Sequence, residues 1–188
     1  YKDLSIHNHQ TNWTINIFSE PGIGPYGYSA RLDGVSSALT YLDAGTLDIP
    51  QDVPFSVSLW FNSTDSDEGV QFLFSKRSQS SVLPGTNSGH RVYLLSGGTG
   101  YHNIVIFYRV SGSEVNGTYA LPNSELFNGQ WKHIVYGRNT STRYLFYNGN
   151  LVINQIGTTL GSLTNAVDLG IGVTTSDSGG IGVKSSLN

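Results

Sequence analysis

Apolar and polar residues alternate with a period of two along most of this chain, which is the mark of strands with one buried face. In the stretch Gly129-Gln-Trp-Lys-His-Ile-Val-Tyr-Gly, the residues Trp131, His133 and Val135 fall on one side and Lys132, Ile134 and Tyr136 on the other. Tyr144, Phe146, Leu151 and Ile153 continue the pattern, and Asn148-Gly149 between them supplies the two positive-φ residues of a type I′ hairpin turn. Trp13, Ile15 and Ile17 alternate with Thr14 and Asn16, which predicts a first strand over Trp13–Phe18. The same reading predicts strands near Ala30–Leu32, Ala38–Leu42, Phe55–Phe61, Gln71–Lys76, Arg91–Leu95, Ile104–Val110 and Val115–Leu121. It continues with Trp131–Tyr136, Thr142–Tyr147, Leu151–Ile156, Val167–Val173 and Ile181–Lys184. Only Asn123–Gln130 has room for a helical turn. Strand signals this regularly spaced predict an all-β fold, two antiparallel sheets packed as a sandwich, rather than a parallel α/β fold.

Composition narrows this further. Of 188 residues, 38% are hydrophobic and 12% charged, with 23 glycines, so the chain suits one turn-rich domain with a substantial core. Residues 1–12 read as a polar arm and 13–188 as a single domain. The net charge of −3 and the scattering of the ten basic residues argue against a nucleic-acid surface. There is no Cys, which excludes disulfides, zinc–thiolate sites and a cysteine nucleophile. No run approaches the ~20 apolar residues of a membrane-spanning helix. The chain begins at Tyr1 and has no Met, so it is expected to be a processed product. Four sequons, at Asn12, Asn62, Asn116 and Asn139, are candidate glycosylation sites and fit a secreted or cell-surface protein.

Three segments together resemble laminin-G-like domains, the concanavalin A-like jelly rolls that include pentraxins. Gly129-Gln-Trp-Lys-His-Ile-Val with Leu145-Phe-Tyr-Asn-Gly is similar to that family's "G-x-W-H-x-V … L-Y-V-N-G" signature. Ala30-Arg-Leu-Asp-Gly-Val-Ser-Ser-Ala-Leu-Thr-Tyr-Leu with Phe55-Ser-Val-Ser-Leu-Trp-Phe resembles its opening strands, and Phe72-Leu-Phe-Ser-Lys its "L-F-S-K" strand. The resemblance covers Ala30 to Val173 and implies a jelly-roll sandwich serving extracellular recognition. Such domains close with a strand that returns beside the first. The chain from Gly179 to Asn188 lacks a recognisable counterpart, so either the protein continues past Asn188, the favoured expectation, or a neighbouring chain fills the open edge.

The residues that could carry chemistry are sparse. Glycoside hydrolysis needs two carboxyl groups across one cleft. The four Glu (Glu20, Glu68, Glu114, Glu125) never occur in an alternating acidic strand, and Asp65, Asp67 and Glu68 cluster in a turn. His7 and His9 sit in the polar arm without a nearby carboxylate, His90 and His102 flank a strand pair where they could lie at the surface, and His133 fits a packed, hydrogen-bonded role. There is no nucleophile elbow and no phosphate loop. The resemblance raises calcium, but Asn87-Ser-Gly-His offers no carboxylate where such domains often place one, and Asp33 fits a turn cap. No metal or other cofactor is therefore expected.

Aromatics remain. Tyr is abundant at 11, and Tyr26, Tyr28, Tyr101 and Tyr119 are expected in loops. Tyr rings pack in sheets, anchor protein interfaces and stack on sugars. Tyr26, Tyr28, Tyr101 and His102 are the candidate ligand-binding residues. The expected function is a non-enzymatic recognition or adhesion module that binds carbohydrate or an extracellular protein through the loops of the sandwich. The alternative is a structural subunit of an extracellular glycoprotein filament or surface assembly, self-associating through an open sheet edge.

Overall fold

A computed structural model describes residues 11–14, 18–21, 28–33, 38–41, 45, 47–66, 69–77, 88–110, 113–157, 161–175, 181–184 and 186–187. The elements begin with β1 (Thr11–Thr14), β2 (Phe18–Pro21), β3 (Tyr28–Asp33), β4 (Ala38–Tyr41), β5 (Phe55–Phe61) and β6 (Val70–Arg77). They continue with β7 (Gly89–Ser96), β8 (Tyr101–Val110), β9 (Ser113–Pro122) and the single helical turn α1 (Asn123–Leu126). After it come β10 (Lys132–Arg138), β11 (Thr142–Tyr147), β12 (Asn150–Ile156), β13 (Leu169–Ile171), β14 (Val173–Thr175), β15 (Ile181–Lys184) and β16 (Ser186–Leu187).

Two antiparallel sheets form the sandwich. The long sheet has the order β1-β4-β13-β6-β7-β8-β9 and the short sheet β12-β11-β10-β5. Smaller sheets pair β14 with β15, and β3 with both β2 and β16. The core lies between the facing sides. Leu73, Val92, Leu94, Ile104, Ile106 and Leu121 come from the long sheet, and Phe61, Ile134, Tyr136, Leu145 and Ile153 from the short one. Each aliphatic or Phe side chain fully buried there contributes about 1.5–3 kcal/mol relative to exposure.

Several expected elements are placed differently. The expected strand Trp13–Phe18 is two strands: β1 starts at Thr11 and pairs with β4, and β2 starts at Phe18 and pairs with β3. The expected late strand Val167–Val173 is divided between β13 in the long sheet and β14 in a small one. Gly172 between them takes a left-handed φ of 68°, which turns the backbone out of the ladder. Near the end of the chain, β16 pairs with Asp33 and Leu32 of β3. Two residues are too few to show a period of two, so this pairing left no mark in the sequence. The Asn148-Gly149 turn has the expected form, with φ 46° and 83° between the paired Tyr147 and Asn150.

Buried cations fasten the loops. Arg138, 1% exposed, donates to the carbonyls of Val53 (3.2 Å), Pro50 (2.7 Å) and Gly161 (2.7 Å). Lys76 donates to the carbonyls of Asn165 (3.1 Å) and Val167 (3.0 Å) and lies 3.3 Å from Asp48. Carbonyls that would otherwise face water thus solvate charges that burial would otherwise penalise.

Candidate functional site

The short sheet turns one face into the core and the other outward, and the alternation of β5 decides which residues go where. Phe55, Val57, Leu59 and Phe61 point to the core side, while Ser56, Ser58 and Trp60 are exposed. Trp60 stands opposite His133 of β10 in the ladder. Their rings stack, centroids 4.5 Å apart at 24°, and Trp60 is still 52% exposed. The His133 ring is held by Ser58, whose Oγ lies 2.8 Å from Nε2. Its backbone is held by the hairpin turn: the His133 amide donates to Asn148 Oδ1 (2.9 Å), and the Asn148 amide to the His133 carbonyl (2.8 Å).

The outer face continues from there. Ser58, Val135, Phe146 and Leu151 follow one another across the four strands, with Leu151 50% exposed. The next row is Ser56, Gly137, Tyr144 and Asn154. Tyr144 meets Phe146 edge-on at 5.9 Å and donates to the Phe55 carbonyl at 3.2 Å. It reaches that carbonyl only because Gly137 has no side chain. A Cβ there would lie 2.1 Å from Phe55 O and 2.8 Å from the Tyr144 hydroxyl. The result is an aromatic shelf edged by the hydroxyl of Ser58 and the amide of Asn148. At its Trp60 end lies a mostly apolar cleft of about 210 Å³, lined by Leu32, Leu39, Leu59, Phe61, Phe74 and Ile171 among others. It runs along β5, which among the described residues is paired only with β10.

Of the residues expected to bind ligand, Tyr101 and His102 lie away from this shelf. Tyr26 and the side chain of Tyr28 lie outside the described residues. Tyr101 opens β8 instead of lying in a loop, and is 51% exposed. Tyr119 is likewise a strand residue of β9, packed 6.0 Å from Tyr147. His102 is buried: its Nδ1 lies 2.9 Å from Asn123 Oδ1 and its ring packs edge-on to Phe127. It pins α1 to β8 and offers nothing to a ligand. His90 is also interior, with Nδ1 3.0 Å from the Tyr136 hydroxyl. Burial, with the charges of Lys76 and Arg138 nearby, pushes its pKa down to about 3, so it is a neutral packed imidazole at physiological pH. Burial pushes the Tyr136 hydroxyl well above its usual range, so this pair holds no ionised base.

Of the sequons, the side chain of Asn12 lies outside the described residues. Asn62 donates its Nδ2, the atom a glycan would occupy, to the Gly129 carbonyl at 2.7 Å. Asn116 and Asn139 are exposed, and Asn139 accepts the Ser141 and Thr142 amides through Oδ1, which leaves Nδ2 directed elsewhere. Among the described residues no three His, Asp or Glu side chains gather as they would around a metal ion.

Sequence reasoning missed Trp60 as a site residue, although a signal was present. Trp60 is in phase with Ser56 and Ser58, the polar set of its strand, and alternation alone puts this large aromatic on the solvent side. His133 was expected to be packed and hydrogen-bonded. It is both, but at the surface, where its packing partner is Trp60.

A laminin G family model described as the concanavalin A-like lectin/glucanases superfamily matches residues 33–182. The chain belongs to this superfamily. The solved structures similar to it include domain 4 of AbnA, a GH43 extracellular arabinanase from Geobacillus stearothermophilus in complex with arabinotriose. That likeness has TM-score 0.61 at 18% identity, over 96% of this chain and 79% of that one. The binding domain of botulinum neurotoxin DC in complex with SialylT is similar at TM-score 0.64 and 15% identity, over 90% of this chain and 39% of that one. The enzymatically active domain of tailspike protein 2 of bacteriophage CBA120 is similar at TM-score 0.67 and 14% identity. It is covered over 95% of this chain and 27% of its own length. The chain thus spans well under half of the last two. Among curated proteins no sequence matches. At these identities the likeness concerns the fold.

Proposed function

We propose that this superfamily member is a carbohydrate-binding module whose ligand lies on the outer face of the short sheet. The observation that carries the reading is Trp60, half exposed yet held flat on His133, which Ser58 and Asn148 hold in turn. A rigid aromatic plane is already in place for the apolar face of a sugar ring, so little ordering is lost on binding. Ser58 and Asn148 beside it can donate to and accept from ring hydroxyls. The likeness to domains solved with arabinotriose and with SialylT supports the ligand class. Binding without hydrolysis is part of the same reading; of the described carboxylates, Asp48 pairs with Lys76 and Glu114 with Arg77 and Arg109, away from the shelf. An extracellular setting, with Asn116 and Asn139 as glycan acceptors, is part of the same proposal.

A glycan array followed by calorimetry tests it. Trp60→Ala is expected to weaken binding of the glycan hit by roughly 30-fold or more, the range of a truncated central aromatic. The near-UV spectrum of the remaining tryptophans should stay unchanged. Binding that survives Trp60→Ala intact overturns the placement of the site.

A second partner class has its own observation. The outer edge of β5 is unpaired among the described residues and borders the apolar cleft, a place where another chain could add a strand. The self-association expected from the sequence uses a different edge, the one an absent closing strand would leave open; here the edge is that of β5.

A further inference from the structure

The far side of the long sheet carries a feature that the sugar shelf does not use. Alternation on β6, β7 and β8 sends Phe72, Tyr93, Val105 and Phe107 to the side opposite the core, where they form a second buried apolar cluster. Three arginines lie on it. The guanidiniums of Arg77 and Arg91 each stand 4.4 Å from the centroid of Phe107, and Arg91 is also 4.8 Å from that of Tyr93. The ladder brings in the third. Arg77 pairs with Gly89, Gly89 with Arg109, and Arg109 with Glu114, so one row carries two arginines, a glycine between them and a single carboxylate.

Among the described residues the charges do not balance: Glu114 Oε1 serves both Arg77 (3.3 Å) and Arg109 (3.4 Å), and with Arg91 beside them the cluster carries an excess of two positive charges. Among the described residues, the Nε–H groups of all three arginines are buried without an acceptor. Arg77 is 9% exposed, and its pKa falls to about 10 through burial and then the neighbouring charge of Arg91. Guanidiniums stacked on aromatic faces keep their edges free as donors, and a planar or tetrahedral oxyanion fits such edges in pairs. Unpaired donors next to like charges are a costly arrangement unless something neutralises them.

We infer that Arg77, Arg91 and Arg109 form a second site, on the long sheet, for the oxyanion of an acidic saccharide, a carboxylate or a sulfate ester. Its carrier being a saccharide rests on the proposed function; the anion site itself stands on the arginine geometry alone.

The test measures binding of three probes by calorimetry at several salt concentrations: an oligogalacturonate, carrying only carboxylates; a short dextran sulfate, carrying only sulfates; and neutral dextran of the same length. One or both acidic probes are expected to bind and neutral dextran to bind at least tenfold more weakly; which acidic probe binds identifies the source of the anion. Arg109→Gln, at a partly exposed position, is expected to weaken acidic binding about tenfold. Glu114→Gln is expected to strengthen it severalfold by removing the competing carboxylate, a gain that loss of structure does not produce. Trp60→Ala separates the two readings: it should weaken shelf binding as above and leave this site as it is. Equal binding of neutral and acidic dextrans overturns the inference, as does an Arg109→Gln or Glu114→Gln affinity equal to wild type. Equally tight binding of a single-stranded DNA oligomer overturns the assignment to saccharides.

Discussion

At the scale of single residues, two side chains of similar type have opposite fates. His133 sits at the surface as the backing of Trp60, and His90 sits in the core against Tyr136. The sequence gives no means of telling them apart, because each lies on an alternating strand and burial depends on which face the other sheet covers. His90 makes the native state sensitive to acid. Its pKa is 6.5 when solvated and about 3 in the fold, so between these values the unfolded chain binds the proton and the native one does not. Its contribution is therefore complete above about pH 6.5, declines as pH falls towards 3 and changes no further below that. The expected slope is at most about 1.4 kcal/mol per pH unit from this group. Urea titrations from pH 7 to 3 check it: His90→Asn, though less stable overall, should show a flatter dependence than wild type. An unchanged slope would mean that His90 takes up its proton while folded. Trp60 shows what was legible at this scale. Its phase with two serines announced a solvent-facing aromatic, but not that an imidazole would lie beneath it.

Among the elements, local chemistry fixes the hairpins and distant chemistry fixes the loops. The β11–β12 connection followed from Asn148-Gly149, since few residues other than Asn and Gly accept the left-handed backbone that a two-residue turn requires. The loops that hold Pro50, Val53 and Gly161 were opaque, because their anchor, Arg138, is 23 to 88 residues away in sequence. Replacing Arg138 by Met removes three donors while the buried carbonyls remain. The expected loss is about 3–5 kcal/mol, visible as a lower urea midpoint. Because Phe55 of β5 packs against Arg138, the loss should be accompanied by faster amide exchange in residues 47–54. A loss under about 1 kcal/mol would show that water replaces the guanidinium freely.

For the whole molecule, the open question is the outer edge of β5 and the cleft beside it. Self-association through that edge predicts a mass above one chain, 20.4 kDa, that falls on dilution in light scattering. A monodisperse particle of the single-chain mass at every concentration removes it. Placing a Pro at Ser58 would block strand addition but disturb the His133 contact as well, so dilution is the cleaner measurement. The sequence by itself determined that this chain is built of antiparallel strands, where nearly all of them run and where its tightest hairpin turns. Those properties are local, written in a period of two and in residues that tolerate a left-handed backbone. Only the tertiary structure decided that Trp60 finds His133, that Arg138 collects three carbonyls, and that Arg77 and Arg109 share one carboxylate. Each of those depends on which strands are neighbours and in what register, and that is set by two sheets closing over a common core.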